Sequence, residues 1–274
     1  MRRIAGSADA TALAALVNRA RAGDGDALDE LVRSIQDDIY RLALRMTAHP
    51  EDAEDATQEV LIKVVTRLET FRGDASVRTW AYRIAVRHVL DREKSRVEAL
   101  ALDFERFGAD LLDGLAAKPE ADPLLVEEVK RGCTLAMLTC LDREHRVAFV
   151  LADVFDLPHA EAADLCEVSA EVYRQRVSRA RRVLEAFTRS YCGLVSADAR
   201  CRCDRRVAKA ESLGRVHRDA LTFVRPNAEA VAAATEEMEE LHASARLMRA
   251  HPPYVTPARV RERLLRYAAQ RTVR

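Results

Sequence analysis

The sequence predicts an all-α protein: a helical bundle, then a helix-turn-helix domain, then a helical C-terminal extension. Apolar residues recur at three- and four-residue spacing over long stretches, with no alternating β-branched run in the first third of the chain. Hydrophobic residues make up 49% of the chain and aromatics only 5%, so the core must be built mainly from Ala, Leu and Val, a composition that favours helices. The periodic stretches are punctuated by short clusters such as "GDGD", "HPED" and "RGDAS".

The first helix is read around Leu13, Leu16 and Val17, and the second carries Leu28, Leu31, Val32, Ile35, Ile39, Leu42 and Met46 on one stripe, with Asp26 as its expected N-cap. "HPED" opens a third helix and "RGDAS" separates it from a fourth, "VRTWAYRIAVRHVLDREKSR". These form an expected bundle domain over 1–97. Residues 98–123 hold Gly108, Gly114, Pro119 and Pro123 among acids and read as an acidic linker with one short helical turn. A second helical domain is expected over 124–189, and an extension over 190–274 contains helices at Arg205 to Arg218, Asn227 to Ala250 and Thr256 to Arg271, the last with Pro257 at its first position.

Lys plus Arg (44) equals Asp plus Glu (44), so any contact with nucleic acid must come from local segregation of charge. The N-terminal "MRRIAGSADATALAALV" runs straight into charged residues, unlike a secretory signal, and no apolar run approaches the roughly 20 residues needed to span a bilayer. A cytoplasmic protein without membrane insertion is the expectation, and its six cysteines then read as thiols or ligands rather than disulfides.

The stretch "EDAEDATQEVLIKV" concentrates acid at the start of the third helix. Spacing turns Ala53, Ala56, Thr57, Val60, Leu61, Val64 and Leu68 inward and leaves Asp55, Gln58, Glu59, Ile62 and Thr66 opposite. No His or Cys lies on this helix to complete a metal or nucleophile set, which argues against an active site. The helix dipole accounts for Glu51, Asp52, Glu54 and Asp55 as solvated acids, but an apolar Ile62 within a polar stripe reads as a docking spot with a charged rim. The next helix interleaves Arg78, Arg83, Arg87, His88 and Arg92 with Trp80 and Tyr82, a pattern suited to single-stranded nucleic acid as well as to a core with a basic outer face.

In order and spacing, "GDGDALDELV…IYRLALRMTAHPEDAEDATQEVLIKVVTRLETFRGDASVRTWAYRIAVRHVLDREKSR" resembles region 2 of bacterial sigma factors, specifically the extracytoplasmic-function group. The resemblance implies that the helix around Asp52 to Val60 docks on the clamp of RNA polymerase, with Asp52, Asp55, Gln58, Glu59 and Ile62 as contacts. It also implies that Arg72, Arg78, Trp80, Tyr82, Arg83 and Arg87 hold separated promoter strands.

"LTCLDREHRVAFVLADVFDLPHAEAADLCEVSAEVYRQRVSRARRVLEAF" has a helix-turn-helix layout by its own pattern: Asp142 caps one helix, a short one follows Pro158, and Ser169 caps a third. That third helix bears Arg174, Arg176, Arg179, Arg181 and Arg182, a basic patch in a neutral chain. The block is similar to region 4 of the same family, which implies upstream promoter contacts from these arginines and Tyr173. It departs from the family where Glu167 stands for a turn Gly and where Glu171, Val172 and Tyr173 stand for Gly-Thr-Val; Glu167 in a left-handed turn would cost about 1 kcal/mol or more.

The resemblance implies core RNA polymerase and promoter DNA as partners, leaves room for an anti-sigma factor, and requires no cofactor and no covalent chemistry. The extension is read as a regulator acting in cis. Cys192, Cys201 and Cys203, with His217, admit three readings: a zinc or other soft-metal site, a redox switch favoured by Arg200, Arg202, Arg205 and Arg206, or a turn with free thiols. Two rival functions are a stand-alone metal- or thiol-responsive helix-turn-helix regulator, which would bind DNA without polymerase, and a helical enzyme, for which the sequence offers no nucleophile and base.

Overall fold

The computed structural model describes residues 7–224 and 243–272. Among them every regular element is helical, apart from an isolated parallel bridge between Cys192 and Cys201, and no helix is long and apolar enough to cross a membrane. The chain forms two compact units: residues 1–95, 150–174 and 253–274 make the first, and residues 96–149 and 175–252 the second.

In the first unit, α1 (Ser7–Arg21), α2 (Gly25–Thr47), α3 (Pro50–Thr66) and α4 (Val77–Asp91) pack as a bundle. Asp24, rather than the expected Asp26, caps α2, its carboxylate accepting from the Ala27 N–H at 3.0 Å; Asp26 lies inside the first turn. The helix ends on Ala48 in the left-handed region, φ 53°, and Pro50 then occupies the first position of α3, where its missing N–H costs nothing. Every α3 residue predicted to face inward is buried, as are Leu31, Val32, Ile35, Ile39, Leu42 and Met46 of α2. Each such aliphatic side chain contributes about 1.5–3 kcal/mol by leaving water.

Arg21 fixes the connection from α3 to α4. Its guanidinium donates to the carbonyls of Leu68 (2.7 Å), Glu69 (3.2 Å) and Phe71, gathering the end of a short 3-10 turn, Leu68–Thr70. Phe71 and Trp80 then meet at 5.5 Å against the cluster of Leu13, Leu16, Val17, Leu31 and Val77. The unit also contains a π-helical segment, Val150–Val154, the short α9 (His159–Leu165) and the C-terminal α13 (Ala258–Thr272), which packs on α3.

The second unit shows why residues 98–123 are more than a linker. They contain part of α5 (Arg96–Ala99) and all of α6 (Phe104–Leu112), whose Phe104 and Phe107 pack on Phe187, itself stacked on Tyr191. Gly108 is required here, since a Cβ would run into the Tyr191 ring. α7 (Pro123–Thr139) packs on α11 (Cys203–Ser212) through Leu125, Val129, Val207 and Ala210, and α8 (Arg143–Phe149) follows α7. α10 (Ala170–Tyr191) gives its first turn to the first unit and the remainder to the second, and α12 is Ala243–Arg249. The part of the expected Asn227 helix that precedes α12 lies outside the described residues.

Acids of the expected linker are paired with bases of the extension. Arg206 donates to the Asp113 carbonyl at 2.6 Å and to Asp110 at 3.2 Å, Arg215 reaches Asp110 at 2.7 Å, Lys209 reaches Asp113 at 2.6 Å, and Arg218 reaches Glu120 at 2.6 Å. Glu128 on α7 accepts from three successive backbone N–H groups, Thr222, Phe223 and Val224. This carboxylate cradle satisfies three donors that the fold would otherwise leave open.

Candidate functional site

The acidic face of α3 divides into acids that are sealed and acids that remain open. Asp55 and Glu59 are 56% and 62% exposed, and Gln58 and Ile62 are half-buried beside them. Asp52, expected on the docking surface, is only 9% exposed. Glu54, expected as a solvated dipole acid, is sealed at 6% under Arg259 of α13, whose guanidinium engages both carboxylate oxygens. The period explains both: Asp52 lies one turn before Ala56, and Glu54 lies on the row of Thr57 and Leu61.

On α4 the predicted residues separate into free and held groups. Arg87 is exposed and only loosely opposite Asp91 at 3.9 Å, and Arg72 is exposed in the preceding loop. Arg78 is held by Asp38 at 2.8 Å, and Arg83 by Asp164 of α9 at 2.5 Å. Asp38, which sequence reasoning missed, also contacts Arg41 at 3.2 Å; burial pushes its carboxyl pKa up while the Arg41 and Arg78 guanidiniums oppose the rise. Tyr82 is not placed to stack on a base: its ring is buried, meets Phe155 edge-on at 6.2 Å, and its hydroxyl pKa is driven up mainly by burial. Its spacing with Val86 and Val89 is the signal that marks it as core. Trp80 is half-buried against Phe71.

Asp142 and Ser169 cap as expected, accepting from the N–H groups of His145 (2.9 Å) and Val172 (3.2 Å). Glu167 does adopt the left-handed conformation, φ 55°, in the turn between α9 and α10. Along α10, Arg174, Arg179 and Arg182 are exposed, Arg181 is half-buried, and Arg176 is drawn to Glu144 at 2.5 Å. Tyr173, expected at the DNA, is fully buried and packs its ring against His159 at 5.6 Å. It falls on the row of Val177, Ala180 and Leu184, which is the core stripe of this helix.

The three readings of the cysteine set meet a turn whose thiols are free. Cys192 and Cys201 are joined by the backbone bridge and Cys203 starts α11, whereas His217 is exposed beyond that helix. Among the described residues no group of three or more His, Cys, Asp or Glu side chains is arranged to hold a metal ion, so Cys192, Cys201, Cys203 and His217 do not assemble the predicted ligand set. Nor do nearby arginines make reactive thiolates of Cys201 and Cys203. Burial pushes the Cys201 thiol up to about 11 and the Cys203 thiol up to about 12, outweighing Arg206 and Arg202 at Cys201, and Arg206 is committed to Asp110 and Asp113.

Residues 31–97 match the family described as Sigma-70 region 2, and residues 131–184 match Sigma-70, region 4. The ECF RNA polymerase sigma factor SigE of Mycolicibacterium smegmatis is 33% identical over 164 residues, which span 58% of this chain and 60% of that protein. The RNA polymerase sigma-H factor of Pseudomonas aeruginosa is 30% identical over 176 residues, spanning 62% of this chain and 90% of that protein. A solved structure of the sigma factor RpoE in complex with the anti-sigma factor NepR, from Bartonella quintana, is 19% identical, with a TM-score of 0.37, and covers 58% of this chain and 95% of that one. Neither family region extends past residue 184.

Proposed function

This chain belongs to the extracytoplasmic-function sigma factors of RNA polymerase, promoter-recognising initiation factors of transcription, and from that premise we propose how its surfaces divide the work. The open stripe of α3, Asp55, Gln58, Glu59 and Ile62, docks on core RNA polymerase. Arg72 and Arg87, with the half-buried Trp80, hold separated strands: cations lie on phosphate, and a ring can stack on an unpaired base for about 1–3 kcal/mol. Arg78 and Arg83 join them when their carboxylate partners let go. The exposed arginines of α10, Arg174, Arg179 and Arg182, anchor upstream duplex through phosphate and base-edge contacts, with Arg176 and Arg181 at the margin. The C-terminal extension regulates these contacts in cis. The protein performs no covalent step and needs no cofactor for this role.

The observation that carries this reading is the selective exposure of charge. Glu54 and Asp110 are largely buried against Arg259 and Arg206, whereas Asp55 and Glu59 stand more than half exposed around a half-buried Ile62. A rim of that kind suits protein docking, because the charges steer encounter and the apolar centre contributes burial. The test is co-elution with purified core RNA polymerase of the native chain and of an Asp55→Lys, Glu59→Lys variant. We expect co-elution of the native chain and loss in the variant. Specific DNA binding without any polymerase association would instead favour the stand-alone regulator.

A further inference from the structure

We propose that residues 253–272 form a displaceable strap that competes with core RNA polymerase at the Asp55 edge of the acidic face of α3. The inference rests on the assignment of that face as the docking surface. It goes beyond cis regulation in general by naming the helix, its seat and the competitor it excludes.

The strap is complementary to its seat in charge. α13 carries Arg259, Arg261, Arg263 and Arg266 against Glu262 in its first nine residues. Arg259 engages Glu54 with two nitrogens, Arg263 lies 3.6 Å from Asp55, and Arg261 lies 3.9 Å from Asp29 on α2. The residues leading into the helix are fastened as well. The Tyr254 carbonyl accepts from Arg41 at 3.1 Å, the Tyr254 ring lies 5.8 Å from the Arg45 guanidinium, and the Thr256 N–H donates to Asp37 at 2.9 Å. Val260 and Leu264 supply the apolar anchors, both buried. A basic amphipathic helix on an acidic, partly apolar face has the form of a helix-in-groove complex between two proteins.

The same interface carries marks of reversibility. Thr256 Oγ1 is buried without a hydrogen-bond partner, and Arg261 Nε and Asp29 Oδ1 are buried with only their 3.9 Å ion pair in place of hydrogen bonds. Buried polar atoms of that kind cost free energy that a permanently matched contact would not carry. Asp55 and Glu59 remain more than half exposed with the strap in place, so a competing surface can begin to engage before α13 has left. Polymerase affinity is then reduced by the fraction of molecules in which the strap is down.

The experiment uses the full chain and its Arg259→Glu, Arg263→Glu variant, both changes falling on exposed side chains outside the docking stripe. Equilibrium binding to purified core RNA polymerase is measured, together with hydrogen exchange of amides 258–272 in free and bound protein. The variant is expected to bind about tenfold more tightly, as it would if the strap were down in nine molecules of ten, and polymerase is expected to deprotect those amides in the native chain. A peptide of residues 253–272 added in trans to the variant is expected to weaken binding, and a scrambled peptide is not. Native binding unchanged by the charge reversal, or α13 amides equally protected in the complex, overturns the strap while leaving α3 as the docking surface. Failure of both proteins to bind overturns the docking assignment and the strap with it.

Discussion

Glu98 and Arg146 meet at 2.8 Å with side chains only 8% and 2% exposed, and the same guanidinium donates to the Leu141 carbonyl at 2.9 Å. Arg143 completes the set, reaching Glu98 at 2.9 Å, so a carboxylate from α5 is held between two arginines of α8. Burial lowers the Arg146 pKa and Glu98 pulls it back, so the pair depends on both charges being present. Arg146→Met is expected to cost about 3 kcal/mol, because it leaves the buried Glu98 to Arg143 alone and removes the donor to the Leu141 carbonyl. Adding Glu98→Gln to the same chain should recover part of that loss, which urea denaturation of the single and double variants will measure.

His88 on α4 gives the bundle a pH dependence of definite sign. Burial, aided by the neighbouring Lys63 and Arg92 and opposed by Asp91, lowers its pKa to about 4 from an unfolded value near 6.5. Lys63 Nζ lies 2.8 Å from Nδ1, and Glu59 lies 3.7 Å from Nε2. Because the unfolded chain takes up this proton first, the stability contributed by neutral His88 is present above about pH 6.5 and lost as pH falls toward 4. Carboxylates titrate in the lower part of that window, so the expected result is a difference: the urea midpoint of His88→Gln should fall less between pH 7 and pH 5 than that of the native chain.

The Glu167 backbone, at φ 55°, sits where residues with a Cβ are strained. Glu167→Gly should raise stability by up to about 1 kcal/mol, the relief being offset in part by the extra freedom of glycine in the unfolded chain. It also removes a carboxylate from the turn before α10, so promoter-duplex affinity should increase most at low salt. Thermal unfolding and a salt titration of DNA binding check the two effects separately.

Arg182 and Tyr173 lie on the same helix and should answer opposite assays. Arg182→Ala is expected to leave stability nearly unchanged and to reduce the salt slope of DNA binding by about one phosphate contact. Tyr173→Ala should cost about 3–5 kcal/mol, as for a large buried aromatic, and should affect DNA binding only through loss of folded protein. A Tyr173→Ala protein that stays fully folded and loses DNA affinity would return that ring to the interface.

Legibility followed distance along the chain. The α2 and α3 stripes were readable because helical period ties Ile35 to Ile39 and Val60 to Val64, and that information is local. Burial of Tyr82 and Tyr173 was present in the same period, but each aromatic sits beside arginines, and that adjacency suggested a nucleic-acid surface. The pairing of Asp110 with Arg206 and Arg215, and of Glu54 with Arg259, joins residues some ninety or more positions apart. No local pattern announces such pairs, so the acids of 98–123 read as a solvated linker and the arginines near Cys201 read as thiol activators. The open part of the α3 stripe, by contrast, stands out in sequence because Ile62 interrupts a polar row.

Glu54 and Arg259 are separated by 205 positions, and this sets an order of events during synthesis. At about 5–20 residues per second, synthesis takes some ten to forty seconds to run from Glu54 to Arg259. Through that interval Arg259 is absent from every nascent chain that already carries Glu54. Each newly made molecule therefore begins with Glu54 lacking Arg259, and α13 can seat on α3 only afterwards.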